Sequence, residues 1–231
     1  MYNNFGDLFM DELFKKLNIK PVDMKYYTTA FLHSSYVNEN HLKSDYERLE
    51  FLGDAVLELV SSDYLFNNLD VKEGDLTKLR ASYVCENALY EYSTGLNLSD
   101  YIKVGHGEEN DGGRFKKVIM ADIFEALMGA IYLDLGFDTV KKVILDIIVP
   151  YIEDPKVSFF SDYKSALQEF VQTEQRSLVY DVVNEEGPAH NKSFTVEVRV
   201  DGIIYGTGTA SSKKEAEQEA AKDALNKLAI K

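Results

Sequence analysis

A single cysteine in 231 residues, Cys85, excludes an internal disulfide and suits a reducing, cytoplasmic setting. Beside Val84 and one turn before Leu89, it reads as a packed core thiol. Histidine is scarce too. His33, His41, His106 and His190 have Ala30, Asn38, Lys103 and Gly187 three residues before them, so the Glu-x-x-His pairs of di-iron carboxylate oxidases are missing. No stretch reaches about 18 uninterrupted apolar residues. The nearest, Val143 to Ile152, is broken by Asp146 and Pro150, and no membrane partner is expected. Residues 1–17 carry Asp7, Asp11 and Glu12 where a secretory signal needs a basic start and an apolar run. There is no internal repeat or low-complexity tract.

Positive charge is also short. Net charge is −14 and the pI about 4.7, which at first sight argues against a nucleic-acid partner. The imbalance is local, however. Of the 25 basic and 39 acidic residues, 15 and 27 lie at or before Asp154 (net −12), leaving −2 for the remainder. If the substrate is RNA, contact must depend on local basic patches and on divalent cations, not on a global positive field. At 45% hydrophobic, the chain can form one large or two modest cores.

Some of the acid sits where packing alone does not call for it. In Glu47-Arg-Leu-Glu-Phe-Leu-Gly-Asp-Ala-Val-Leu57, a helix puts Glu47, Glu50 and Asp54 at i, i+3 and i+7 on one face of an apolar segment. A second apolar helical run, Ile119 to Leu127, carries Asp122 and Glu125 at i, i+3. Like charges at these spacings repel, and more strongly when buried. If the two helices face each other, Glu50, Asp54, Asp122 and Glu125 meet. Four carboxylates without Cys or His suit Mg²⁺ or Mn²⁺ better than Zn²⁺.

Along the chain, residues 5–17 and 23–36 read as helices separated at Pro21, and 37–45 as a loop. The acidic helix starts near Asp45, an N-cap, and runs to about Asn67; Gly53 inside it implies close approach by a neighbour. Glu73-Gly74-Asp75 reads as a turn before a helix from Leu76 to Thr94. Gly105 to Gly113 is a glycine-rich acidic loop without the Lys-Ser/Thr ending of a phosphate loop. A last helix spans about 137–149. Pro150 and Pro155 bracket a break, giving a helical domain over 1–152, a linker over 153–160 and a second domain over 161–231.

The second domain reads αβββα: a helix over 161–175, strands 178–183, 193–200 and 203–210, then a helix to about Leu228. Asp201-Gly202 makes a two-residue hairpin turn, and Ser212 with Glu215 forms a capping box. Lys213 and Lys214 occupy the first turn of the last helix, where the macrodipole disfavours cations. A phosphate facing both the lysines and the free N–H groups accounts for them. With Gln168 on the first helix and the Gly187-Pro188-Ala189-His190 turn, they could span successive grooves of an A-form duplex.

Glu47 to Leu57, His33-Ser34-Ser35-Tyr36, Gly112-Gly113-Arg114 and Ala121 to Leu127 together resemble the endonuclease domain of bacterial ribonuclease III. Residues 162–230, with Gly187 to His190, Gly206-Thr207-Gly208 and Lys213 to Gln218, resemble its double-stranded RNA-binding domain. The resemblance implies an all-α endonuclease domain followed by an α+β RNA-binding domain. It further implies a homodimer that cuts both strands of double-stranded RNA, leaving 5′-phosphate and 3′-hydroxyl ends with short 3′ overhangs. Roles in ribosomal RNA precursor processing and in mRNA processing or decay come with it. By motif position it assigns metal binding to Glu50, Asp54, Asp122 and Glu125, catalysis to Asp54 and Glu125, support to Glu47 and Glu73, and a dimer contact to Phe51. Val118 stands where the family often has Ser, and Lys117 where it is often acidic or neutral; neither change removes a ligand. The alternative is a non-catalytic double-stranded RNA-binding scaffold.

Overall fold

The computed structural model describes residues 4–154, 163–173, 176–187 and 192–228. The chain divides into two compact units, Met1–Phe160 and Ser161–Lys231. The first is helical: α1 (Asn4–Lys16), α2 (Met24–Ala30), α3 (Ser34–Glu39), α4 (Glu47–Asn68), α5 (Glu73–Tyr83), α6 (Glu86–Leu96), α7 (His106–Asn110), α8 (Lys117–Leu135) and α9 (Phe137–Glu153). The second has the order α10 (Tyr163–Thr173), β1 (Leu178–Glu186), β2 (Ser193–Val200), β3 (Ile203–Ala210) and α11 (Lys213–Leu228). No helix among the described residues is long and apolar enough to cross a membrane.

In the first unit α8 is apolar on nearly every side and becomes the central helix, with Ile123, Phe124, Ala126, Leu127, Met128 and Ile131 fully buried. Helices α2, α4, α6 and α9 pack on it. The α4–α8 contact brings backbone against backbone. A Cβ on Gly53 would land on the Glu125 carbonyl and 2.9 Å from the Gly129 nitrogen, and one on Gly129 would strike the Leu49 carbonyl. The close approach expected at Gly53 is thus met by a second glycine on the facing helix, and neither position has room for a methyl group.

Several boundaries differ from the sequence reading. The run 23–36 is broken at 31–33, because Leu32 bridges Lys103 and the Lys103 N–H donates to the Phe31 carbonyl at 2.9 Å. His33-Ser34-Ser35-Tyr36 therefore opens α3 instead of ending a helix, with His33 as its N-cap. Tyr46 takes the N-cap position of α4, although Asp45 still accepts the Glu47 N–H at 3.2 Å. Glu73-Gly74-Asp75 is the first turn of α5, where acidic residues suit the helix dipole. The expected 76–94 helix is interrupted at Val84 and Cys85; Cys85 is the N-cap residue of α6. Part of the acidic loop coils into α7. Helix α9 passes through Pro150 and ends at Glu153, a residue expected in the linker. Close to a helix end, proline removes one hydrogen bond and the last turn still forms.

In the second unit β1, β2 and β3 form one antiparallel sheet in sequence order. Val196, Val198 and Val200 are fully buried on one face of β2, and Asp201 (φ 51°) and Gly202 (φ 79°) make the hairpin turn with both φ angles positive. Strand β1 extends three residues past the expected end, beyond a register shift between Val182 and Asn184 that hides its alternation. Gly206 and Gly208 leave space for α11, whose Ala216, Ala220 and Ala224 sit directly over β3. The capping box is half formed: Ser212 Oγ accepts the Glu215 N–H at 3.2 Å, while the Glu215 carboxylate takes the Ser211 hydroxyl at 2.9 Å.

Candidate metal centre and nucleic-acid interface

The glycine crossing sets the site. Gly53 lies between Glu50 and Asp54 on α4, and the backbone it meets is that of Glu125, one turn after Asp122 on α8. The four carboxylates consequently lie in one another's field. Burial, then Asp54, Glu50, Asp122 and Glu58, push the Glu125 carboxyl up to about 8. Glu50 rises to about 7 through burial and then Asp122, Glu47 and Asp54. Asp54 is raised by partial burial and by Glu58. Asp122 is raised chiefly by burial, against a lowering hydrogen bond from the Tyr46 hydroxyl, 2.9 Å from Oδ2.

Among the described residues, no Lys or Arg forms an ion pair with any of the four. The side chains also do not converge: no three His, Cys, Asp or Glu side chains among the described residues form a group that could hold an ion as they stand. The donor set fits a hard divalent cation on two grounds. All four groups are carboxylates, and Glu125 is partly buried with nothing cationic to balance it.

Glu47 is exposed at the rim and acts on Glu50, Asp122 and Tyr46. Glu73 is elsewhere within this chain: its carboxylate accepts the Thr77 hydroxyl at 3.0 Å and lines a groove with Ser62, Leu65, Phe66, Leu76 and Arg80. Two neighbours of the site escaped the sequence reading. Glu58, which raises both Asp54 and Glu125, follows Asp54 at i+4 and could have been found by extending the same spacing. Tyr46 carried no such signal, since its partner is 76 positions away. Phe51 is 80% exposed on α4, with Leu59 and Phe66 farther along at 57% and 74%.

In the second unit Lys213 and Lys214 are both exposed at the start of α11. Lys213 Nζ lies 5.4 Å from the Phe194 ring centre and 3.8 Å from Glu185 Oε2; Lys192 also pairs with Glu185, whose carboxyl is lowered by its hydrogen bond to Lys192 and by both lysine charges. Gln168 is exposed on α10. His190 lies outside the described residues.

The chain is thus a helical unit with paired acidic helices followed by an αβββα unit with lysines at a helix start. The family model described as Ribonuclease-III-like matches residues 23–152, and the double-stranded RNA binding motif matches residues 163–228. "Ribonuclease 3" of Onion yellows phytoplasma is 47% identical over 218 residues, covering 94% of this chain and 90% of that protein. "Ribonuclease 3" of Listeria innocua is 49% identical over 203 residues, 86% and 89% of the two chains. Among solved structures, the nuclease domain of ribonuclease III from Campylobacter jejuni, described in connection with dimer formation, superposes with a TM-score of 0.58 at 39% identity. It covers 61% of this chain and 96% of its own. The chain belongs to the ribonuclease III family, the double-stranded-RNA-specific endoribonucleases.

The raised Glu125 carboxyl has a consequence for stability in EDTA. An unfolded glutamate releases its proton near pH 4.5, the folded one near 8. Between these values the native state binds more protons, so stability falls as pH rises through that window. Glu125→Gln should therefore melt about 2–4 °C higher than the parent at pH 8, with the difference shrinking towards pH 5. Equal melting curves at pH 8 would show that Glu125 carries no electrostatic strain.

Proposed function

We propose that the chain is a divalent-cation-dependent endoribonuclease that hydrolyses phosphodiester bonds on both strands of double-stranded RNA. In this reading it leaves 5′-phosphate and 3′-hydroxyl ends with short 3′ overhangs. It works as a homodimer in the cytoplasm, in ribosomal RNA precursor processing and in mRNA processing or decay. The observation that carries the reading is the glycine crossing of α4 and α8, which sets Glu50 and Asp54 against Asp122 and Glu125. Glu50, Asp54, Asp122 and Glu125 would hold Mg²⁺, or Mn²⁺ in its place, with Asp54 and Glu125 nearest the chemistry and Glu47 in support. Bound there, the ion supplies charge neutralisation at the phosphate and an acidified water for in-line attack.

The chain's own part is to gather four acids at one helix crossing and keep cationic side chains away. The carboxylate runs Glu47 to Leu57 and Ile119 to Leu127 hold no Ser, Thr, Cys, Lys or His, which favours water over an enzyme side chain as the nucleophile. A non-catalytic scaffold accounts for the second unit but leaves the strained carboxylates of the first without a purpose. Lys213, Lys214, Gln168 and His190 are assigned to the RNA. Phe51 is assigned to the second subunit, supported by its 80% exposure on a helix that also exposes Leu59 and Phe66. The lone Cys85 supports a reducing compartment.

Glu125→Gln and Asp54→Asn should each leave a labelled RNA duplex uncut in Mg²⁺ while binding it within about twofold of the parent; full cleavage by either would overturn the site. Lys213→Ala with Lys214→Ala should weaken duplex binding and lower the slope of log affinity against log salt by about one to two. An unchanged slope would remove α11 from the RNA surface. In sedimentation, Phe51→Ala should shift the chain towards monomer at micromolar concentration, and an unaltered dimer would place the contact elsewhere.

A further inference from the structure

Tyr46 is fixed from several directions. It is 4% exposed. Its N–H donates to the Leu32 carbonyl at 3.0 Å, and its own carbonyl accepts the Leu49 and Glu50 N–H groups at 2.8 and 2.9 Å. The His33 ring packs on it, with ring centres 5.8 Å apart. His33 is held in turn: its N–H donates to the Lys103 carbonyl at 3.0 Å, and Nδ1 lies 2.7 Å from Ser35 Oγ, which accepts the Gly105 N–H at 2.8 Å. From this frame the Tyr46 hydroxyl reaches across to α8 and donates to Asp122 Oδ2 at 2.9 Å.

A phenylalanine would fill the same core space, so the hydroxyl answers a different need. A rigid donor on one carboxylate oxygen fixes the terminal rotation of that carboxylate, which is otherwise broad. Among the described residues Asp122 Oδ1 accepts no hydrogen bond, which leaves that oxygen available for a ligand. We propose that Tyr46, braced by His33, is a positioning residue that fixes the Asp122 carboxylate through Oδ2 and so leaves Oδ1 to a cation. The inference rests on the reading of Asp122 as a cation ligand, and it gives His33-Ser34-Ser35-Tyr36 a purpose: the segment builds the wall against which Tyr46 is set. Groups that orient a metal-binding carboxylate typically change metal affinity by about 10- to 100-fold when removed.

The test is a Mn²⁺ titration of the full chain without RNA, with free ion counted by electron paramagnetic resonance, on the parent, Tyr46→Phe, Asp122→Ala and the double variant. Melting temperature and duplex binding in EDTA serve as controls for folding. Tyr46→Phe keeps the ring and its contact with His33. It should weaken Mn²⁺ binding about tenfold in the parent and less than about twofold in the Asp122→Ala background, where nothing is left to position. Parent-like affinity in Tyr46→Phe, with affinity lost in Asp122→Ala, would overturn the positioning role and leave the cation site standing. An equal loss in both backgrounds would also overturn it, as a general loosening. No loss in Asp122→Ala would defeat the reading of Asp122 as a ligand, and the inference with it.

Discussion

The close crossing of α4 and α8 at Gly53 and Gly129 is the constraint on which the first unit depends. With no Cβ on either side, the backbone of each helix enters the other's side-chain layer. That proximity determines which residues face each other: Glu50 and Asp54, which flank Gly53, lie opposite Asp122 and Glu125, which are two turns and one turn ahead of Gly129. The apolar surface of α8 supplies the driving force for the contact, and the glycines set its depth. An acidic cluster at such a crossing is costly to the folded state, because burial and mutual repulsion both favour the protonated forms. The large core around Tyr27, Phe31, Tyr92 and Phe124 offsets that cost, as is common where stability is exchanged for a working site.

The second unit follows a related rule on a smaller scale. Gly206 and Gly208 allow the alanine face of α11 to lie directly on β3, which leaves the start of that helix and its two lysines at the surface. Several basic side chains of this unit rest on aromatic rings: Lys164 on Tyr180, Arg176 on Tyr205, Lys213 on Phe194 and Lys222 on Tyr163. Such contacts hold cationic heads in defined places at modest energy. Three of these heads are also ion-paired, Lys164 with Glu217, Arg176 with Asp201 and Lys213 with Glu185, so ring and carboxylate together fix where each one sits.

Much of this was legible in the sequence, for identifiable reasons. The carboxylate spacings on α4 and α8, the valine alternation of β2 and the Asp201-Gly202 turn are local signals with a fixed period or a fixed turn chemistry, and the structure keeps all of them. Gly53 was informative because glycine inside a helix has a cost that only a close neighbour justifies. The failures occurred where tertiary contacts decide local structure. The helix expected over 23–36 is interrupted because the backbone at Phe31 to His33 bonds to Lys103, a partner 70 residues away that has no local signature. The Tyr46–Asp122 hydrogen bond was invisible for the same reason. The β1 bulge masks a strand end, and Pro150, one turn from the end of α9, removes a single hydrogen bond without stopping the helix.

The central claim is that the acidic groups at this crossing form a divalent-cation site. The most direct measurement is a crystal structure of the chain grown with Mn²⁺, with the ion located by its anomalous scattering. A peak between α4 and α8, within coordination distance of Glu50, Asp54, Asp122 and Glu125, is the expected result. Mn²⁺ bound only elsewhere, with these four side chains still apart at saturating ion, would contradict it.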